Sequence, residues 1–259
     1  MYSLYSTGSR VFNIAIVLLG AAVFHSTAAP ITEQENTEKK SPDIIGEAFR
    51  QGSNELLYRE RHQYTINASD QLEHNVTYTQ PNGAPLAYKK ISYNDQATAP
   101  SFELTDSLNN ETLRVNIAEK IISIAYAKND VLQESKLDIK QPLVVDAGFD
   151  PFVQNNWESL SRGNSEEFYF LLPRREKLVE LRLTSHTCSD VKPDTHLCLS
   201  LEINNWLLRI LVDPIELTYQ REGRRLTRYL GVSNLSFPDE EDTPQVDIHY
   251  QPASEKYHD

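Results

Sequence analysis

Two short stretches carry the residue types with the greatest chemical reach. His186-Thr187-Cys188 and His196-Leu197-Cys198 each set a histidine two residues before a cysteine, on runs that read as the arms of one hairpin. Val179, Leu181 and Leu183 share the odd face of the first arm, and Leu197, Leu199, Leu201 and Ile203 the odd face of the second. If Cys188 lies opposite Cys198, paired positions sum to an even number and both apolar rows fall on one side. His186, Cys188, His196 and Cys198 then share the other side. That placement permits a disulfide between Cys188 and Cys198, or a Cys2His2 metal site with all four side chains as ligands. Four ligands on a flat hairpin face converge poorly on a tetrahedron, so the disulfide is the favoured expectation and the metal site its rival.

Other constellations are weaker. Asp146-Ala147-Gly148-Phe149-Asp150 places two carboxylates around a glycine, but it lacks the further acidic positions and the closing Glu of a calcium loop. It reads as a turn leading into an Asp150 helix cap. Asp213 and the adjacent Glu166-Glu167 read as structural or solvated carboxylates. The serines lack a Gly-x-Ser-x-Gly elbow, no His-Glu-x-x-His helix occurs, and no glycine-rich phosphate loop follows a strand. His62, His74, His186, His196 and His249 each read singly as surface strand residues. No catalytic residue and no cofactor are expected, and an envelope hydrolase ranks third among the functional readings. Asn67, Asn75, Asn110 and Asn234 match a glycosylation sequon that matters only in a eukaryotic secretory host.

The compartment in which these residues act is set by the first 28. Arg10, an apolar core from Ile14 to Phe24 and the small-residue exit Ser26-Thr27-Ala28 read as a secretory signal peptide cut between Ala28 and Ala29. The apolar core is short against the roughly 20 residues a spanning helix needs. No cysteine lies near the cut to take a lipid, so no stable membrane anchor is expected after cleavage. The expected location is the periplasm or the exterior.

Composition narrows the partners. The net charge is -12, and nucleic-acid binding rests on neutralising phosphates, so nucleic acid is not an expected partner. Arg174-Arg175-Lys177 and Arg221, Arg224, Arg225 and Arg228 cluster without interleaved aromatic platforms and read as solvated strand faces or hairpin turns.

The elements that must position these residues are mostly strands. Residues 29–54 are charged and poor in apolar anchors, and read as a mobile lead-in with one short amphipathic turn at Ile44, Ile45, Ala48 and Phe49. Residues 55–250 alternate short β-type runs with turn signals, the pattern of an antiparallel meander in a single domain. The runs are Leu56 to Ile66, Leu72 to Thr79, Leu86 to Tyr93, Phe102 to Leu104, Leu113 to Ile117, Ile121 to Tyr126 and Leu132 to Ile139. They continue with Glu167 to Leu172, Leu178 to Thr187, Leu197 to Ile203, Ile215 to Tyr219 and Leu226 to Val232, then a final alternation of Val246, Ile248 and Tyr250. One helix is expected over 150–162, with Asp150 as N-cap and Pro151 at its first position. Asn205 to Leu211 suits a helical face but is short and stopped by Pro214. Residues 251–259 read as a frayed tail.

Several segments together resemble an uncharacterised family of proteobacterial exported proteins. They are Leu57-Tyr58, the Pro81-Asn82-Gly83 turn running into Tyr88-Lys89-Lys90, the stretch from Asp146 to Phe152, and the stretch from Leu207 to Pro214. That family is similar to a periplasmic domain of unknown function with a β half-barrel like those of the outer-membrane lipoprotein carriers. The resemblance implies a mainly β fold, a curved antiparallel sheet forming a half-barrel or open barrel, with the 150–162 helix packed on it. It carries no binding residues across.

Two functions follow as expectations. The first is a non-enzymatic binding or carrier protein for an apolar or lipidated ligand held by the curved sheet. The second is a structural or assembly factor that binds another envelope protein through a strand edge or the acidic loop Asp239-Glu240-Glu241-Asp242.

Overall fold

The computed structural model describes residues 43–66, 72–93, 96–205 and 213–253. The signal segment 1–28, the cleavage site at Ala28 and Ala29, residues 206–211 of the ambiguous Asn205 run, residues 207–212 of the resemblance, and the last tail residues lie outside these.

Strand β1 (Ile44–Arg50) is followed by β2 (Leu56–Ile66), β3 (Leu72–Thr79), β4 (Pro85–Ser92), β5 (Ser101–Asp106), β6 (Glu111–Ala118), β7 (Ile121–Lys128) and β8 (Val131–Asp138). A two-residue strand β9 (Leu143–Val144) leads into helices α1 (Phe149–Asn155) and α2 (Trp157–Ser161). Then come β10 (Ser165–Leu172), β11 (Lys177–His186), β12 (His196–Ile203), β13 (Ile215–Gln220), β14 (Arg225–Val232) and β15 (Gln245–Pro252). All belong to one 15-stranded sheet in the order β8 to β1, then β15 down to β9. Every pairing is antiparallel except that of β9 with β10. The strands match the sequence-derived runs to within about two residues because period-2 burial is visible in nearly all of them.

Connectivity requires this sheet to curl. Laid flat, fifteen strands would span about 67 Å at the usual inter-strand spacing. Yet β8 and β9, its opposite edges, are separated by residues 139–142 alone, a stretch of chain that reaches at most about 18 Å. The sheet therefore rolls into an open barrel whose edges approach without pairing.

Rolling gives the sheet an inside, and the inside is filled. One core gathers inward residues of β1 to β7 with Val246 and Ile248, among them Tyr58, Tyr78, Leu86, Leu113 and Ile122. The second packs Phe152, Val153, Trp157 and Leu160 of α1 and α2 onto Phe168, Leu183, Leu199, Leu217 and Tyr219 of β10 to β13. The segment around β9 stitches the two together, with Leu143 and Val145 in the first core and Val144 in the second. Val145 N–H donates to the Thr98 carbonyl (3.0 Å), and Lys89 Nζ reaches Asp146 Oδ2 at 2.7 Å. Gly148 passes so close to Thr98 that a Cβ would collide with its carbonyl oxygen.

Several expectations need correction. The lead-in reading of 29–54 gives way at Ile44, where β1 lies in the middle of the sheet between β2 and β15. Its Gly46-Glu47-Ala48 centre looks unlike a core strand because the space above it is taken by larger neighbours: a Cβ on Gly46 would sit 2.7 Å from the Tyr250 ring, and Ala48 lies opposite both Tyr58 and Ile248. Asp43 anchors the start of β1, accepting from Arg61 Nε (2.7 Å) and Gln63 Nε2 (3.1 Å). The single helix over 150–162 is two short helices meeting at Asn156. Asp150 is not the cap: Gly148 holds that position, and no side chain caps the helix. Gln251 and Pro252 belong to β15 rather than to a frayed tail.

Candidate functional site

Cys188 and Cys198 are joined as a disulfide with Cα atoms 5.3 Å apart. The parity of the hairpin is as expected, but its register is displaced by two: His186, not Cys188, sits opposite Cys198. Cys188 lies just past the end of β11 and folds back to its partner. Both sulfurs are therefore committed to each other, and the two histidines turn elsewhere. His186 Nε2 contacts Glu216 Oε2 at 2.8 Å, and His196 Nδ1 contacts the hydroxyl of Thr195 at 2.9 Å.

Closing a loop with a sequence separation of 10 reduces the freedom of the unfolded chain and is worth about 2 to 3 kcal/mol. The double variant Cys188→Ser, Cys198→Ser is expected to lose that amount in urea unfolding. An unchanged midpoint would show that the loop is already held by its other contacts.

The even residues of β11 to β13 face away from the helices, and the register sets them in rows. One row runs His186, Cys198, Thr218, Arg228, His249; the next runs Thr184, Ser200, Glu216, Leu230, Asp247. All of these except Asp247, together with Arg182, Glu202 and the disulfide-closed loop at Ser189, Asp190 and Val191, line a half-open cleft of about 940 Å³. Charges alternate across it. Arg228 grips Asp247 with two bonds, Nε to Oδ1 at 2.7 Å and Nη2 to Oδ2 at 2.8 Å. Its remaining nitrogen, Nη1, donates to Asp190 Oδ2 at 3.2 Å, tying the loop to the rim. Burial alone would raise the Asp247 carboxyl, but the Arg228 bonds and nearby His249 hold it below its ordinary range. The buried Nε of Arg182 has no hydrogen-bond partner among the described residues.

The cleft brings a serine, a histidine and a carboxylate together, but in the wrong order for nucleophilic catalysis. Ser200 Oγ donates to Glu216 Oε1 at 2.9 Å while His186 holds the other oxygen. The carboxylate stands between hydroxyl and imidazole, so the imidazole is not placed to take the serine proton.

A second polar constellation lies inside the roll. His62 and His74, expected at the surface, form a buried chain with Glu60 and Tyr93. Glu60 is 1% and His74 3% exposed. His62 Nε2 lies 2.9 Å from Glu60 Oε2, His62 Nδ1 3.0 Å from His74 Nε2, and His74 Nδ1 3.3 Å from the Tyr93 hydroxyl. Burial, then the neighbouring charges of His62 and Lys89, push the His74 pKa down to about 2, so its imidazole is neutral. One direction of donation satisfies all three contacts: Tyr93 O–H to His74, His74 N–H to His62, and His62 N–H to Glu60 Oε2. Tyr64 stacks on His74 with ring centroids 4.2 Å apart. The chain buries polar groups in the barrel interior, and at its Glu60 end the other carboxylate oxygen, Oε1, is buried without a hydrogen-bond partner among the described residues.

The sequence held a usable signal for it. Tyr58, Glu60, His62 and Tyr64 share a face, and β3 presents His74, Val76 and Tyr78 to the same side. The buried Val76 and Tyr78 mark that side as the inside. Asp150, partly buried at the start of α1, is a further polar group. Its carboxyl is pushed up to about 6, mainly by burial, with the nearby polar groups of Tyr219 and Gln154 acting the other way.

No protein-family model matches the chain, and no curated protein does. Among solved structures it is similar to a β-barrel-like protein of domain of unknown function DUF1849 from Brucella abortus, at 9% identity and a TM-score of 0.49, over 82% of this chain and 98% of that one. It is also similar to a DUF1329 family protein from Desulfovibrio piger, at 11% identity and a TM-score of 0.25, over 83% of this chain and 85% of that one.

Proposed function

We propose that the protein is an exported, non-enzymatic binding protein of the cell envelope, and that its ligand is a polar polypeptide segment of another envelope protein, taken up by the cleft over β11 to β15. The observation that carries this reading is the contrast between the two faces of the sheet. The inner face, where an acyl chain would lie, is occupied by Phe152, Trp157 and Leu160. The outer face is a cleft with hydroxyls, two arginines, two histidines and several carboxylates at fixed positions. Such a surface pairs with the donors and acceptors of an extended peptide better than with hydrocarbon. Among the described residues its lining includes no Phe, Tyr or Trp ring on which a sugar could stack.

Export is part of the proposal. It rests on the signal-like first 28 residues and on the Cys188–Cys198 disulfide, which persists in an oxidising compartment. No helix among the described residues is long and apolar enough to cross a membrane. The alternative, a carrier of an apolar or lipidated ligand, requires α1 and α2 to leave the inner face.

A photoreactive residue placed at Thr218 in the cleft, and at exposed Thr105 on β5 as a control, tests the reading in intact cells. One dominant protein adduct is expected from position 218 and none from 105. Equal labelling from both positions, or lipid adducts alone, would overturn it.

A further inference from the structure

We propose that β8 is a docking edge for a second copy of this chain, joined in an antiparallel, two-fold symmetric pair centred on Ser135. The proposal is independent of the cleft. β8 is the outermost strand of the sheet and pairs only with β7, while the opposite edge, β9, is two residues long. Among the described residues β8 thus leaves the longest run of unpaired strand edge, β10 being covered by β9 only at Tyr169 and Phe170, and such edges add strands. Its end also carries two of the most exposed large apolar side chains of the molecule, Val131 at 63% and Leu132 at 61%.

The turn before β8 decides which groups face outward. Asn129 and Asp130, both with positive φ (49° and 64°), form a two-residue hairpin that closes on the pair Lys128 and Val131. In such a hairpin the closing pair is hydrogen-bonded, so the odd residues of β8 bond to β7. The N–H and C=O groups of Leu132, Glu134, Lys136 and Asp138 therefore point to the free side.

Symmetry then limits the register. A two-fold axis normal to the sheet keeps each residue number on its own face, so paired numbers must sum to an even value. Centring on Ser135 sets Glu134 opposite Lys136, Leu132 opposite Asp138 and Val131 opposite Ile139, each contact occurring twice. The outward backbone groups of the first two pairs meet as hydrogen-bonded pairs. Shifting the centre to Glu134 or Lys136 instead opposes Glu134 to Glu134 or Lys136 to Lys136, and like charges directly opposite are destabilising. Glu134 and Lys136 are both exposed in the single chain. Among the registers centred on Glu134, Ser135 and Lys136, that on Ser135 alone sets Glu134 against Lys136, and this self-complementary charge pattern points to a second copy as the occupant.

Sedimentation equilibrium of the full chain from about 1 to 300 µM tests the proposal, since a dimer of this kind is governed by mass action. The wild type is expected to show a reversible monomer–dimer equilibrium. Glu134→Lys alone and Lys136→Glu alone each turn both cross-strand ion pairs into repulsions and are expected to weaken the dimer by about tenfold or more. Mixing the two variants restores opposite charges across the edge, so the mixed pair is expected to associate where neither variant does alone. A wild type that stays monomeric over the range would overturn the proposal. So would single variants that dimerise like the wild type, or a mixture no stronger than its components. Both substitutions are at exposed positions, and an unchanged circular dichroism spectrum shows that each variant is folded.

Discussion

Ala48→Asp is expected to leave the protein without a stable folded state at room temperature. Ala48 is fully buried, lies at the centre of β1, and is opposed by Tyr58 on one side and Ile248 on the other, all at 0% exposure. A carboxylate there has neither water nor a cation, and burying it unpaired costs more than about 4 kcal/mol. A domain of this kind has only about 5 to 15 kcal/mol in all. The loss also propagates, because β1 is the one strand that joins the β2 to β8 half of the sheet to the β10 to β15 half. Glu47→Ala serves as the control. Glu47 is the adjacent residue on the outer face, and its ion pair with Arg59 at 3.0 Å is a surface contact worth at most about 1 kcal/mol. Circular dichroism melts of the two variants separate a central strand from a mobile lead-in. A cooperative melt of Ala48→Asp near the wild-type temperature would place β1 outside the sheet.

Asp150→Asn is expected to stabilise the protein above neutral pH and to flatten its pH dependence between about 4 and 6. The carboxyl, on the first turn of α1, is pushed up to about 6 from an ordinary value of 3.8, mainly by burial. Folding therefore holds a proton that the unfolded chain releases at lower pH. Below 3.8 both states are protonated and the group is neutral to stability. As pH rises through 6 the folded state must carry a buried carboxylate, and about two pK units of mismatch cost at most about 3 kcal/mol. Asparagine keeps the shape and polarity of the protonated acid without that charge. Urea unfolding at pH 8 is expected to show a gain of about 2 to 3 kcal/mol, with little change at pH 4. A loss of stability at pH 8 would mean that the carboxylate is compensated by groups other than Tyr219 and Gln154.

Most of the sheet was legible because burial on one face writes itself into a strand as alternation. Leu56 to Ile66 and Leu72 to Thr79 coincide with β2 and β3 to the residue. What hid β1 was the reverse of a hydrophobic signal: its centre is small because Tyr58 and Tyr250 are large. The helix was legible as apolar spacing, but its break at Asn156 and the burial of Asp150 depend on packing against β10 to β13, which local sequence does not encode. The disulfide could be read from hairpin parity alone, since a displacement by two preserves every face. The cleft could not, because it needs His186, Ser200, Glu216, Arg228 and His249 from five strands. Their alignment is fixed only when every hairpin register is known. The Glu60–His62–His74–Tyr93 chain lay between these cases, readable once Val76 and Tyr78 are recognised as inward.

The inside of the rolled sheet is the protein's own core, which leaves the outer face to the proposed ligand. Native mass spectrometry of the protein after mild purification from its own envelope, combined with organic extraction of the same sample, tests that directly. The predicted result is the mass of the disulfide-bonded chain, alone or as whole-number multiples, with no stoichiometric lipid in the extract. A lipid or acyl species retained at one per chain, and lost when Leu201 on the inner face is replaced by a charged residue, would contradict it and put the ligand inside the sheet.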